Sequence, residues 1–108
     1  MVRDEQKIVG GIKPVLRAQI TEIICSQKPV KRIILFGSRA RGKARRTSDI
    51  DLAVEGKGWT DRDINLAHNR LEEEVPTALK FDLVNVSGVT RPELKKEIFE
   101  KGKTIYER

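Results

Sequence analysis

Residues 36–54, FGSRARGKARRTSDIDLAV, constrain this chain more than any other stretch. The β-branched, apolar run VKRIILF (30–36) stops abruptly at Gly37-Ser38 and reads as a buried strand. Strand alternation resumes in DIDLAVE (49–55). There Ile50, Leu52 and Val54 share one face, and Asp49, Asp51 and Ala53 share the other. Residues 37–48 are small or cationic and cannot supply a core element. The segment is therefore two buried strands joined by a basic loop, with two carboxylates at the head of the second strand.

The flanking sequence supplies helices. Ile12, Val15, Leu16, Ile20, Ile23 and Ile24 recur at helical spacing, with Pro14 tolerated in the first turn and Lys28-Pro29 closing the pattern. After EGKGW, Thr60 caps a helix expected over 61–74, with Ile64, Ala67, Leu71 and Val75 facing inward and Pro76 ending it. KFDLVNV (80–86) is a third strand. Pro92 then opens a last helix carrying Leu94, Ile98 and Phe99, with Gly102 as its C-terminal cap. Residues 103–106 are either a short extended piece or a frayed end. The expected fold class is α/β (α+β): a small mixed sheet backed by helices, in the order α-β-(loop or short α)-β-α-β-α.

Composition bounds the possibilities. At 108 residues the chain has length for one domain, expected to span 1–108. One Cys and one His exclude a disulfide framework and a zinc cage. No run of about eighteen apolar residues offers a membrane span, and the N-terminus lacks the apolar stretch of a signal peptide. A cytoplasmic protein is expected. Lys and Arg number 22 against 16 Asp and Glu, and five of the cations (Arg39, Arg41, Lys43, Arg45, Arg46) fall within 39–46 with no acid among them. Such a cluster suits a polyanion or is simply a solvated basic loop.

Each part of the 36–54 segment has a chemical use. Gly37 permits a sharp turn and a close approach of backbone to ligand. The N–H groups of that turn, with the Ser38 hydroxyl, can cradle phosphate oxygens. Asp49 and Asp51 project from one face with Cα atoms roughly 6.6 Å apart, a spacing from which two carboxylates can converge on divalent ions. Asp82 lies inside an apolar strand between Phe81 and Leu83, where a charge needs a reason. On an adjacent strand it would complete a triad, and Mg²⁺ would relieve the repulsion among the three.

Gly37-Ser38, ten intervening residues and Asp49-Ile50-Asp51 resemble the signature of minimal nucleotidyltransferases, the smallest members of the DNA polymerase β nucleotidyltransferase superfamily. The pieces Gly37-Ser38-Arg39-Ala40-Arg41-Gly42 and Ser48-Asp49-Ile50-Asp51-Leu52 are especially similar, and the resemblance covers nearly the whole chain. It implies the nucleotidyltransferase fold, ATP as substrate and two Mg²⁺ ions held by Asp49, Asp51 and Asp82. It implies nucleotide contacts from Gly37, Ser38, Arg39, Arg41, Lys43 and Ser48. It also implies a partner: family members of this size are antitoxins paired with a helical HEPN RNase toxin, onto a tyrosine of which they transfer AMP.

Other readings compete. The segment from Gly37 to Lys43 fits the opening of a P-loop, but Ala44 stands where Ser or Thr should bind Mg²⁺. A catalytically silent module that neutralises its partner by occlusion would keep the fold without needing all three aspartates. A nucleic-acid-binding domain would use the basic loop, but aromatic platforms are scarce and direct nucleic-acid binding is not expected. Asp61-Arg62-Asp63 reads as helix capping, His68 as a satisfied half-buried side chain and Cys25 as a core or boundary residue. Trp59 is an anchor for the helix start or a partner contact, and Tyr106 has no motif around it.

Overall fold

The computed structural model describes residues 8–108. Among the described residues, three helices and four strands follow in the order α1 (Pro14–Gln27), β1 (Arg32–Phe36), β2 (Ile50–Glu55), α2 (Asp61–Glu74), β3 (Phe81–Asn85), α3 (Pro92–Phe99) and β4 (Lys103–Glu107). A 3-10 turn over Val86–Gly88 links β3 to α3. Among the described residues, no helix is long and apolar enough to cross a membrane.

The strands form one mixed sheet in the order β3-β2-β1-β4. β1 runs antiparallel to both β2 and β4, whereas β2 and β3 are parallel and need the α2 crossover between them. Strand alternation then builds a core on each face. Ile33, Leu35, Ile50, Leu52, Val54, Phe81 and Leu83 pack against α1 and α2. Ile34, Phe36 and Ala53 pack against Ile98 of α3. The result is three layers, with α1 and α2 on one side and α3 on the other.

Local chemistry explains the boundaries. The Thr60 hydroxyl accepts the Asp63 N–H at 3.2 Å while Asp63 Oδ2 accepts the Thr60 N–H at 2.9 Å, a reciprocal capping box. Lys28 Nζ donates to the same carboxylate at 2.7 Å and, with these bonds, holds Asp63 well below the usual carboxylate range. The expected inward stripe of Ile64, Ala67, Leu71 and Val75 is buried. Trp59 is buried, its indole N–H donating to the Pro29 carbonyl at 3.0 Å, so it anchors the start of α2. His68 Nε2 lies 2.8 Å from the Phe81 carbonyl; a carbonyl only accepts, so this nitrogen carries the proton. Cys25 is half-buried against the core, and burial pushes its thiol upward, away from reactivity.

Several expectations need correction. Val15 and Phe99 keep helical spacing with the core residues but are 72% and 46% exposed, because each layer takes only one stripe of its helix. Phe99 instead lies under the Arg32 guanidinium, 5.6 Å from its ring centroid. Gly102 does not close α3 through a left-handed conformation, since it is absent from the positive-φ glycines. A Cβ there would come within 3.0 Å of the Ile98 carbonyl oxygen, so close backbone approach is what requires glycine. The tail is a true strand: β4 pairs with β1 through a bulge. The P-loop reading fails on topology, because the loop after Gly42-Lys43 leads into an antiparallel strand instead of a helix.

Candidate active site

Sheet register brings the acidic residues together. Asp51 of β2 is the direct partner of Asp82 in parallel β3, and Asp51 also faces Phe36 of β1, the last residue before Gly37. Asp49 immediately precedes β2 and shares the Asp51 face by alternation. All three lie on the α3 side of the sheet, past the small core of Ile34, Phe36 and Ala53.

Gly37 closes the site from above. Its φ is +77°, and a Cβ on it would lie within 3.0 Å of Asp51 Oδ2. The turn over Asp51 therefore needs glycine twice, for conformation and for space. The loop then coils back on itself, Arg41 N–H donating to the Gly37 carbonyl at 3.1 Å and Lys43 N–H to the Ser38 carbonyl at 2.9 Å. The Ser38 hydroxyl has no protein partner among the described residues.

Electrostatics report how close the carboxylates are. Burial pushes Asp51 above its ordinary value, and the negative charges of Asp82 and Asp49 push it further. The positive charges of Arg39 and Arg41 pull the other way. A cation beside Asp51 would relieve this repulsion.

The cations of the loop divide into distinct roles. Arg39 is 4% exposed. Its Nε and Nη2 donate to the Ser48 carbonyl at 3.2 and 2.8 Å, Nη1 to Gly10 at 2.9 Å and Nη2 to Arg46 at 3.3 Å. Arg39, expected as a nucleotide contact, is thus a buried brace holding three backbone carbonyls, and its charge bears on Asp51. Ser48 belongs to the same brace, its hydroxyl accepting the Arg45 N–H at 2.8 Å. Arg41 is exposed and pairs with Glu97 of α3. Lys43 is exposed and Arg45 and Arg46 remain solvated. Neither the Arg39 brace nor Glu97 was identifiable from local sequence, because both depend on residues far away along the chain.

The donor set suits a hard divalent ion, since all three side chains offer carboxylate oxygen. Among the described residues, no three His, Cys, Asp or Glu side chains are drawn together as a finished metal cage. Mg²⁺ does not need one: it keeps several waters and binds through one or two carboxylates plus substrate phosphates. An open carboxylate pair beneath the Gly37 turn fits that mode of binding.

The chain is similar to known proteins in sequence and in fold. Two proteins of Methanocaldococcus jannaschii bearing the name "Putative protein adenylyltransferase" are similar in sequence. One is 35% identical over 98 residues, 87% of this chain and 94% of that protein. The other is 44% identical over 54 residues, half of this chain and 62% of that protein, so that alignment spans less than two thirds of the relative. Among solved structures, a toxin–antitoxin with AMP-PNP superposes with a TM-score of 0.72 at 23% identity, covering 85% of this chain and 73% of that one. A tri-AMPylated Shewanella oneidensis HEPN toxin in complex with MNT antitoxin gives a TM-score of 0.68 at 20% identity, covering 87% and 71%. At those identities the superpositions establish the fold. The family model for polymerase beta nucleotidyltransferase matches residues 18–108, from within α1 to the end of the chain, and on that match the chain belongs to the polymerase beta nucleotidyltransferase family.

Proposed function

We propose that this chain transfers AMP from ATP to a hydroxyl group of a partner protein, a tyrosine of a helical HEPN-type RNase toxin, and thereby acts as its antitoxin. One observation carries the reading: Asp51 and Asp82 are register partners on adjacent strands, beneath a glycine turn that admits no side chain. The names of the similar proteins, adenylyltransferases and toxin–antitoxin complexes, support it.

Asp49, Asp51 and Asp82 are the residues that would hold two Mg²⁺ ions. Bound Mg²⁺ supplies charge neutralisation at the triphosphate and at the attacking oxygen. The turn N–H groups after Gly37 and the Ser38 hydroxyl grip the distal phosphates. Asp82, on the neighbouring strand, faces the acceptor hydroxyl and takes its proton. The acceptor oxygen bonds to the α-phosphorus in line, the bond from that phosphorus to the β-bridging oxygen breaks, and pyrophosphate leaves. Arg41 and Lys43, exposed on the loop above, offset the charge of the departing pyrophosphate.

The test is intact-mass spectrometry of the HEPN partner after incubation with this protein, ATP and Mg²⁺. The reading predicts a gain of one or more adenylyl units, absent with Asp51→Asn. An unmodified partner that is still silenced would establish occlusion in place of catalysis.

A further inference from the structure

The ion pair between Arg41 and Glu97 joins positions 56 residues apart in sequence. Glu97 is on α3 next to Ile98, which is packed against Ile34, Phe36 and Ala53. The helix that carries this carboxylate is thus seated on the strand that delivers Gly37. Arg41 sits on the turn over Asp51, fixed by its N–H bond to the Gly37 carbonyl. One guanidinium N–H goes to Glu97 Oε1, and among the described residues the other donors have no protein partner. Glu97 Oε2 is buried without any hydrogen bond. Buried polar atoms are nearly always satisfied, so a half-used carboxylate at this point calls for an explanation beyond stability.

We propose that Glu97 is the positioning residue for Arg41, holding one edge of its guanidinium so that the remaining donors face the distal phosphates of a nucleoside triphosphate. The inference rests on the nucleotidyl-transfer reading of the site. A planar guanidinium can serve a carboxylate on one edge and a phosphate on the other, which an ammonium on a flexible stem cannot. A side chain already fixed also loses less conformational freedom when ligand arrives. With no second donor on Oε2, Arg41 has no competitor for the carboxylate among the described residues.

Calorimetric titration with ATP and, separately, AMP, both with Mg²⁺, tests this on wild type, Glu97→Ala, Glu97→Gln, Arg41→Ala and the Arg41→Ala/Glu97→Ala double variant. Glu97→Ala is expected to weaken ATP about five- to tenfold and AMP less than twofold, because AMP lacks the phosphates that Arg41 reaches. Glu97→Gln, which keeps an acceptor oxygen, recovers part of the ATP affinity. In the Arg41→Ala background, Glu97→Ala changes ATP affinity less than twofold. Equal losses for ATP and AMP, additive losses in the double variant, or unchanged ATP affinity in Glu97→Ala would each overturn the proposal. If Glu97→Ala is unfolded at the titration temperature, the ATP-to-AMP ratio of the isosteric Glu97→Gln decides. Failure of wild type to bind either nucleotide would instead sink the reading of the site itself, and the proposal with it.

Discussion

Gly37 and Gly42 form a matched pair on one loop, and replacing each by alanine separates backbone strain from damage to the site. Both are left-handed, at φ +77° and +73°. An L-residue there costs about 1–2 kcal/mol, a fall of roughly 4–10 °C in Tm for a chain of this size. The surroundings differ: a Cβ at Gly42 meets nothing within 4 Å, whereas one at Gly37 falls within 3.0 Å of Asp51 Oδ2. To restore ordinary contact at 3.4–4 Å the Asp51 carboxylate must retreat by about 1 Å. Misplacement of a reacting group by that amount costs on the order of a hundredfold in rate. Thermal melts and a labelled-ATP transfer assay on the two variants read both effects. Similar losses of Tm are expected in both, with a hundredfold loss of rate confined to Gly37→Ala. Equal loss of rate in the two variants, or a Gly37→Ala enzyme at wild-type rate, would refute the assignment of the Gly37 turn to the site.

Two further predictions concern charge. Asp51 is raised by burial and by Asp82 and Asp49, so ionising it costs more in the folded chain than in the unfolded one. Its stabilising contribution is complete below about pH 4 and is lost as pH rises through its elevated folded value. Asp51→Asn should therefore melt above wild type in metal-free buffer near neutral pH, by a margin that shrinks towards pH 4; a lower Tm at every pH would contradict the electrostatic picture. Arg39→Ala removes a buried guanidinium and leaves carbonyls of Gly10, Arg46 and Ser48 without it. A loss of about 2–4 kcal/mol by urea denaturation is expected, and less than 1 kcal/mol would show that the brace does not hold the loop.

What could be read from sequence was what is local. Thr60 and Asp63 are three residues apart and cap α2 as the pattern predicts. Ile50, Leu52 and Val54 alternate with Asp51 and Ala53, so the two faces of β2 follow from a period of two. Asp82 stood out because a carboxylate interrupts an apolar strand, and register places it beside Asp51. What could not be read was set by distant pairing. The tail KTIYE has no apolar run of its own and becomes a strand only because the free edge of β1 accepts it. The five cations of the loop look alike in sequence, yet Arg39 is buried through carbonyls as far away as Gly10, and Arg41 is claimed by Glu97. Periodicity likewise overcounted Val15 and Phe99, since spacing shows which residues share a helix side but not how wide a stripe the neighbouring layer covers.

In the proposed function, Asp49, Asp51 and Asp82 carry transfer of the α-phosphoryl group with its nucleoside. The most direct measurement incubates the protein and its HEPN partner with Mg²⁺ and ATP labelled on either the α- or the γ-phosphate. Nucleotidyl transfer at this site puts label on the partner from α-labelled ATP alone, abolished by Asp49→Asn, Asp51→Asn or Asp82→Asn in folded protein. Label arriving from the γ-phosphate, or persisting in all three variants, would contradict it.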